Sequence, residues 1–275
     1  MSTHENKQED ITGGFTKVDQ TKDPRFFIEF LDARKTLEGE REVKDLIIQL
    51  LALKPGMEVL DVGCGTGDDA REMAATVGGN GRVVGIDLSD TLITESKSRM
   101  AGSSLRIEFL IGDVRKLKFP DASFDCVRTD RVLMFVPEIK RAISEIVRVL
   151  RPGGRVVASE IDHELHYMDS HFPEVDRRVC AAFAGSNPQP RLGRQLHRLF
   201  AEQGLRNVKS VPRLLHAPYN TFRRVFDGFL ASAITRGQLA ESEITQWLGD
   251  LAALDEAGLY DNGVIVFTAC GEKPS

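Results

Sequence analysis

Between residues 58 and 160, short apolar runs alternate with helix-compatible stretches, and this rhythm constrains the chain more than any other feature. Glu58–Val62, Arg82–Asp87, Arg106–Gly112, Phe124–Thr129 and Arg155–Glu160 read as strands, while Asp68–Val77 and Thr91–Met100 read as helices. Ile139, Ala142, Ile143, Ile146, Val149 and Leu150 share one face of a further helix, which Arg151-Pro-Gly-Gly154 stops. Strand–helix alternation of this kind predicts an α/β fold, because parallel neighbours need a crossover that returns over the sheet. Upstream, Val43, Leu46, Ile47, Leu50 and Leu51 mark a buried helix face that ends at Lys54-Pro55-Gly56. Downstream the rhythm changes. Ile161–Gln203 and Pro218–Tyr260 are long excursions around a strand Leu205–His216, before a last strand Val264–Cys270. Both are too apolar for disordered loops, so they predict helical insertions covering one end of the sheet.

The chain has 275 residues, a formal net charge of −5 and no basic block, which argues against a nucleic-acid partner. Its four cysteines, Cys64, Cys126, Cys180 and Cys270, form no CxxC pair, so neither a disulfide framework nor a zinc site is expected. Residues 1 to about 23 are polar and read as mobile at their start. The opening MSTHENKQED lacks the pattern of a secretory signal, and no apolar stretch approaches the roughly 20 residues a membrane span needs. A cytoplasmic protein is therefore expected, with a homo-oligomer left open.

The first strand runs into Asp61-Val-Gly63-Cys64-Gly65-Thr66-Gly67. In open parallel sheets ligands bind beyond the carboxyl ends of the strands, where strand order reverses. Alternate glycines there allow tight turning and close approach of main chain to a ligand. Two more carboxylates end the next strands: Asp87, 26 residues after Asp61, placed to accept from ribose hydroxyls, and Asp113, placed to accept from an adenine amino group. Each alone reads as a helix cap; together, after the glycine turn, they read as a cofactor site. A dinucleotide requires G-x-G-x-x-G and a helix N-terminus free to hold pyrophosphate. Here the spacing is G-x-G-x-G and Asp68-Asp69 follow at once, which suits a sulfonium cofactor without phosphate.

Residues 57 to 160 resemble the class I S-adenosylmethionine-dependent methyltransferases, most nearly the ubiquinone/menaquinone-biosynthesis-like group called methyltransferase type 11. Val59-Leu-Asp-Val-Gly-Cys-Gly-Thr-Gly67, Val84-Gly-Ile-Asp87, Gly112-Asp113-Val114, Phe124-Asp125 and Arg148-Val-Leu-Arg-Pro-Gly-Gly154 carry the resemblance. It implies a Rossmann-like sheet of seven mostly parallel strands in order 3-2-1-4-5-7-6, the last antiparallel. It further implies that Gly63–Gly67 meet the methionyl part of S-adenosylmethionine, Asp87 and Leu88 the ribose side, and Asp113-Val114 the adenine, with Thr129 near the reactive methyl. The resulting division is a helical lid over residues 1–54 and a methyltransferase domain over 55–275, with cap insertions at about 162–203 and 218–260. A nicotinamide-dependent oxidoreductase and a cofactor-binding protein without catalysis are the alternatives.

For the methyl acceptor, three histidines fall within nine residues just past the fifth strand: His163, His166 and His171. A solvated loop, a substrate contact or base, and a metal site compete there; His163 is the first choice for a base because it stands closest to the strand end, and no metal is predicted. Asp130 is the second candidate, although Thr129-Asp130-Arg131-Val132 lacks the Asn/Asp-Pro-Pro-Tyr motif of amino-methylating relatives and a pairing with Arg131 competes. Phe15, Phe26, Phe27 and Phe30 are expected to supply an apolar lid, and Arg34 or Arg41 to meet the methionyl carboxylate. Phe222, Phe226, Phe229 and Trp247 suit a small hydrophobic or aromatic acceptor, and packing of the cap helices accounts for them equally well.

Overall fold

A computed structural model describes residues 11–275; the polar N-terminal tip, residues 1–10, lies outside the described residues. Seven strands form one sheet in the order β3-β2-β1-β4-β5-β7-β6. They are β1 (Glu58–Val62), β2 (Arg82–Asp87), β3 (Ile107–Ile111), β4 (Phe124–Asp130), β5 (Leu150–Asp169), β6 (Arg206–His216) and β7 (Asp261–Glu272). β1 pairs in parallel with β2 and β4, while β7 runs antiparallel to both β5 and β6. The expected order and the antiparallel last strand are both borne out.

Side chains alternate across the sheet as the strand period requires. Leu60, Val62, Val84 and Ile86 pack under α6 (Ile139–Val149) and α8 (Leu192–Glu202), whereas Val59 and Val83 pack under α3 (Glu38–Leu51) and α4 (Asp68–Val77). Ala142, Ile143, Ile146 and Val149 of α6 are fully buried, the face anticipated from their spacing. Burying each of the isoleucine and valine side chains contributes roughly 1.5–3 kcal/mol. α5 (Asp90–Arg99) covers β2 and β3.

The chain departs from expectation after the fifth strand. β5 does not stop at Glu160 but continues to Asp169, because Ile161–Asp169 finds a partner in β7. The 162–203 excursion therefore divides into a strand extension, a cap helix α7 (Pro173–Gly185) and the sheet-covering α8. Leu192, Leu196, Leu199 and Phe200 of α8 belong to the main core. The cap itself joins α7, α9 (Tyr219–Thr235) and α10 (Glu241–Glu256) around Phe183, Phe222, Phe226, Phe229 and Trp247. The Trp247 indole N–H donates to Asp176 Oδ1 at 2.7 Å, so the only tryptophan of the chain is buried with its polar edge satisfied.

At the other side of the site, α1 (Ile11–Gly14), a 3-10 turn (Val18–Gln20) and α2 (Arg25–Arg34) form a small layer. Asp19 fixes this layer by accepting the backbone N–H groups of Asp90 and Thr91 at 2.8 and 3.1 Å and the Ser89 hydroxyl at 2.7 Å. A carboxylate at the first turn of α5 meets unsatisfied N–H groups and the positive end of the helix dipole.

Candidate functional site

The strand order reverses between β1 and β4, and a cavity of about 570 Å³ opens at their carboxyl ends. Gly63 has φ +69° and a Cβ there would lie 2.2 Å from Val132 Cγ2, so the turn admits no side chain at this point. Gly65, at φ +53°, exposes bare backbone to the cavity beneath Leu31. Both Gly63 and Cys64 donate their N–H to Ile86 O, at 2.7 and 3.0 Å, which locks the turn against β2.

Of the residues anticipated for the cofactor, Gly63, Gly65, Asp87, Leu88, Asp113 and Val114 line this cavity. Asp87 accepts from Gly65 N at 3.1 Å and Ser89 N at 3.0 Å, so one carboxylate both holds the glycine turn and faces the cavity. Burial pushes its pKa upward against those backbone donors. Leu88 is 54% exposed, an apolar side chain laid along the cavity edge. Asp113 is engaged by Arg115, whose Nε and Nη2 approach to 3.0 and 2.7 Å; the expected adenine contact must compete with this pair. The remaining members stand behind the wall. Asp61, Cys64 and Thr66 are buried in the turn, and Thr66 Oγ1 donates to Asp68 at 2.8 Å. Gly67, at φ +80°, begins α4. Thr129, paired with Val62 at the end of β1, is fully buried and is not among the residues that line the cavity.

The first turn of α4 carries Asp68 and Asp69, and both are matched by cations: Lys35 and Arg99 on Asp68, Lys44 and Arg128 on Asp69. A helix N-terminus so occupied has no place for a phosphate.

Sequence reasoning missed the charge network beneath this turn. Arg128 Nη1 donates to Asp61 Oδ1 at 2.8 Å, and its Nη2 serves Asp69 and Asp130. Asp61 and Arg128 are both buried, with Asp61 showing no exposure at all. Burial pushes the Asp61 carboxyl up to about 6 despite the guanidinium beside it. Arg131 pairs with Asp130 and with Glu40 of α3, and Arg34 closes the chain by donating to Glu40 at 3.1 Å. The expected pairing of Asp130 and Arg131 is thus present. Burial opposes ionisation of Asp130, but Arg131 and Arg128 outweigh it and hold the carboxyl far below its ordinary range. A carboxylate so held is a poor base. Arg34 lines the cavity, whereas Arg41 is exposed on α3 and away from it. Phe15 and Phe30 of the N-terminal layer line the cavity too; Phe27 is fully buried behind them and Phe26 packs on its ring.

Arg131 also carries φ +54°, a left-handed conformation uncommon for any residue with a Cβ, and follows β4 directly. Its N–H is anchored to Ser159 O at 2.8 Å. The next residues form a 3-10 turn (Leu133–Phe135) whose N–H groups are gathered by Glu160: Val132 N at 3.2 Å, Leu133 N at 2.9 Å and Met134 N at 3.2 Å. Burial pushes the Glu160 carboxyl up to about 8 against these three donors. Phe135 of this turn stacks on Phe15 at 5.9 Å, so the N-terminal layer and the strand-four turn meet over the cavity.

The far half of the cavity lies under the cap. His163 is on its wall, as the sequence placed it near the strand end, and His166 joins it; both rings stand edge-on to Phe183, at 5.4 and 5.9 Å. His171 is elsewhere, exposed and paired with Asp250 at 2.8 Å. Burial pushes the His163 imidazole down to about 4, against the Asp162 carboxylate beside it, so the ring is neutral. Among the described residues no group of His, Cys, Asp or Glu is arranged to hold a metal ion.

Fold and site define the class: an open α/β sheet with a cofactor-sized cavity at its switch point, walled by a glycine turn and successive strand-end acids. A methyltransferase-domain model matches residues 53–204, more than half of the chain, and the chain belongs to that family. It is 32% identical over 239 residues to an uncharacterized 37.1 kDa protein in transposon TN4556 of Streptomyces fradiae, covering 82% of this chain and 66% of that protein. It is 35% identical over 148 residues to the 2-phytyl-1,4-naphtoquinone methyltransferase of Synechococcus elongatus, covering 52% of this chain and 64% of that enzyme. The chain thus spans just under two thirds of the length of these relatives. Among solved structures, the YcgJ protein from Bacillus subtilis superposes with a TM-score of 0.61 at 19% identity, covering 86% of this chain and 99% of that one, a likeness of fold.

Proposed function

We propose that the protein transfers a methyl group from S-adenosylmethionine to an O, N or C atom of a small, largely apolar metabolite. The observation that carries this reading is the continuity of one cavity: its floor is the glycine turn with Asp87, and its far end is the aromatic underside of the cap. The cofactor end fits a phosphate-free adenosyl compound. Gly63 and Gly65 offer bare backbone where a Cβ would intrude, and Asp68-Asp69 hold the helix N-terminus that a pyrophosphate would need. This disfavours a nicotinamide dinucleotide. When bound, S-adenosylmethionine supplies an electrophilic methyl on a sulfonium sulfur, which departs as a thioether.

The work of the chain is then alignment. Asp87 accepts ribose hydroxyls, the glycine turn fixes the methionyl segment, and the cap presents the acceptor in line. Orientation of this kind is worth roughly 7–11 kcal/mol in well-aligned systems. Where the acceptor is a hydroxyl, neutral His163 takes its proton as the new bond forms. Asp130 we read as a positioning residue, engaged by Arg128 and Arg131. The lid over residues 1–54 contributes Phe15, Phe30 and Arg34 to the cofactor end, and the cap insertions close the acceptor end. The net charge of −5 without a basic patch supports a metabolite over a nucleic acid as acceptor and is consistent with a cytoplasmic setting; among the described residues no helix is long and apolar enough to cross a membrane.

Equilibrium binding tests the cofactor: S-adenosylhomocysteine should bind in the micromolar range and NADH should not. Incubation with methyl-labelled cofactor and a metabolite extract, followed by mass identification of the labelled product, tests the reaction. Tight S-adenosylhomocysteine binding with no labelled product from any extract would favour a non-catalytic binder.

A further inference from the structure

The acceptor end of the cavity contains polar atoms that the protein leaves without partners. Both ring nitrogens of His163, Nδ1 of His166 and Oδ1 of Asn262 are buried and meet no hydrogen-bonding group among the described residues. His163 and Asn262 are 4% and 3% exposed, and all three residues line the cavity. A buried polar group without a partner costs on the order of 1–3 kcal/mol, so four such atoms on three residues of one cavity wall point to a polar ligand.

Their convergence has a specific cause. His163 and His166 are three apart in β5, and an odd separation in a regular strand sends side chains to opposite faces. Here the ladder breaks: Asp162 pairs with Ile265 and His166 with the very next residue, Val264, so Glu164 and its neighbours bulge out of register. His163 N donates to Pro190 O at 2.8 Å rather than to β7, which fixes the bulge from outside the sheet. The consequence is that both imidazoles contact the same ring, Phe183, and His166 also meets Phe226 at 5.4 Å. Bulges of this kind re-aim side chains, and they concentrate beside active sites. Asn262 reaches the cavity from β7, held by a hydrogen bond from its Nδ2 to the Tyr260 hydroxyl.

Charge narrows the ligand. Apart from Asp87, which accepts backbone N–H groups at the cofactor end, the carboxylates on the cavity wall are paired with cations of the protein: Glu40 with Arg34 and Arg131, Asp130 with Arg131, Asp113 with Arg115. Around the histidines the walls are phenyl rings. Resting on the methyl-transfer reading of the same cavity, we propose that His163, His166 and Asn262 form a hydroxyl-reading element for an uncharged aromatic acceptor, offering acceptor atoms for its one O–H proton and a histidine ring N–H for its oxygen. Of these, His166 and Asn262 determine specificity, while His163 is also the proton acceptor of the reaction.

The test uses 2-naphthol, naphthalene and 2-naphthoate as probes, titrated by fluorescence into the full chain saturated with S-adenosylhomocysteine. 2-Naphthol should bind about ten-fold tighter than naphthalene, and 2-naphthoate more weakly than either. His166→Phe, which keeps an aromatic ring against Phe183 and Phe226, and Asn262→Leu should each reduce the naphthol-to-naphthalene ratio several-fold while naphthalene affinity and S-adenosylhomocysteine affinity stay put. Equal binding of naphthol and naphthalene by the wild type, or an unchanged ratio in both variants, overturns the proposal. Loss of S-adenosylhomocysteine binding in the wild type would instead overturn the cofactor reading, and is read separately before any probe is added.

Discussion

Arg128 is the place where a single change should do most damage. It is the counter-ion of Asp61, which has no exposure and whose Oδ1 lies 2.8 Å from Arg128 Nη1. Arg128→Met keeps most of the side-chain volume and removes the charge. Asp69 and Asp130 retain Lys44 and Arg131, but Asp61 is left buried with none. Removing one partner of a buried pair costs about 3–5 kcal/mol, a large part of the 5–15 kcal/mol that holds a typical domain. For a chain of this size roughly 2–4 °C accompany each kcal/mol, so the melting temperature at pH 8 should fall by about 6–20 °C. The pH dependence has a definite sign. The folded-state pKa of Asp61 is already raised, to about 6, and losing Arg128 raises it further. A group whose folded pKa lies above its unfolded value favours folding when protonated, and that advantage is lost as pH rises through the folded pKa. The deficit of the variant should therefore shrink toward pH 5 and grow toward pH 8, and Asp61→Asn added to Arg128→Met should recover part of it. Denaturant titrations of wild type and variants at pH 5 and 8 measure this. A deficit below 1 kcal/mol, or one that does not change with pH, would refute the reasoning.

Asp87→Ala removes the carboxylate assigned to the ribose and the acceptor of Gly65 N–H; two hydrogen bonds to a charged group predict roughly 100-fold weaker S-adenosylhomocysteine binding by calorimetry, and unchanged affinity would place the site elsewhere. Gly63→Ala forces a Cβ to 2.2 Å from Val132 at φ +69°, and should destabilise the fold by about 1–3 kcal/mol in thermal unfolding; a variant as stable as wild type would mean that the turn relaxes freely. If His163 is the base, labelled-methyl transfer should be flat from pH 6 to 9 and fall only as pH drops toward about 4, with His163→Ala slowing it by roughly 10²–10⁴; an inflection near pH 6.5 would contradict a neutral buried ring.

Much of the cofactor half was legible because its signals are local. The glycine turn, the strand-end acids and the amphipathic α6 each sit within a dozen consecutive residues, and the alternation around them fixes a parallel sheet. What escaped depends on partners far along the chain. Arg131 meets Glu40 across 91 residues and Arg128 meets Asp61 across 67, distances at which a charge pattern carries no signal. The extension of β5 escaped for a related reason: Ile161–Asp169 is too polar to announce a strand, and becomes one only because β7 lies alongside. The histidines were noticed by their density, yet their common direction follows from a register slip that no spacing reveals.

The length of β5 has a mechanical meaning. One strand, bulged between Asp162 and His166, carries Ser159 and Glu160, which hold the turn beside the cofactor end, and then His163 and His166 at the acceptor end. At about 3.3 Å per residue of regular strand, the three steps from Glu160 to His163 span at most about 10 Å, because the bulge begins at His163. The two halves of the cavity are thus graduated on one ruler, while the roof above them is made of separate helices. A change in the roof helices therefore alters the shape offered to a guest without moving the donor end relative to the histidines.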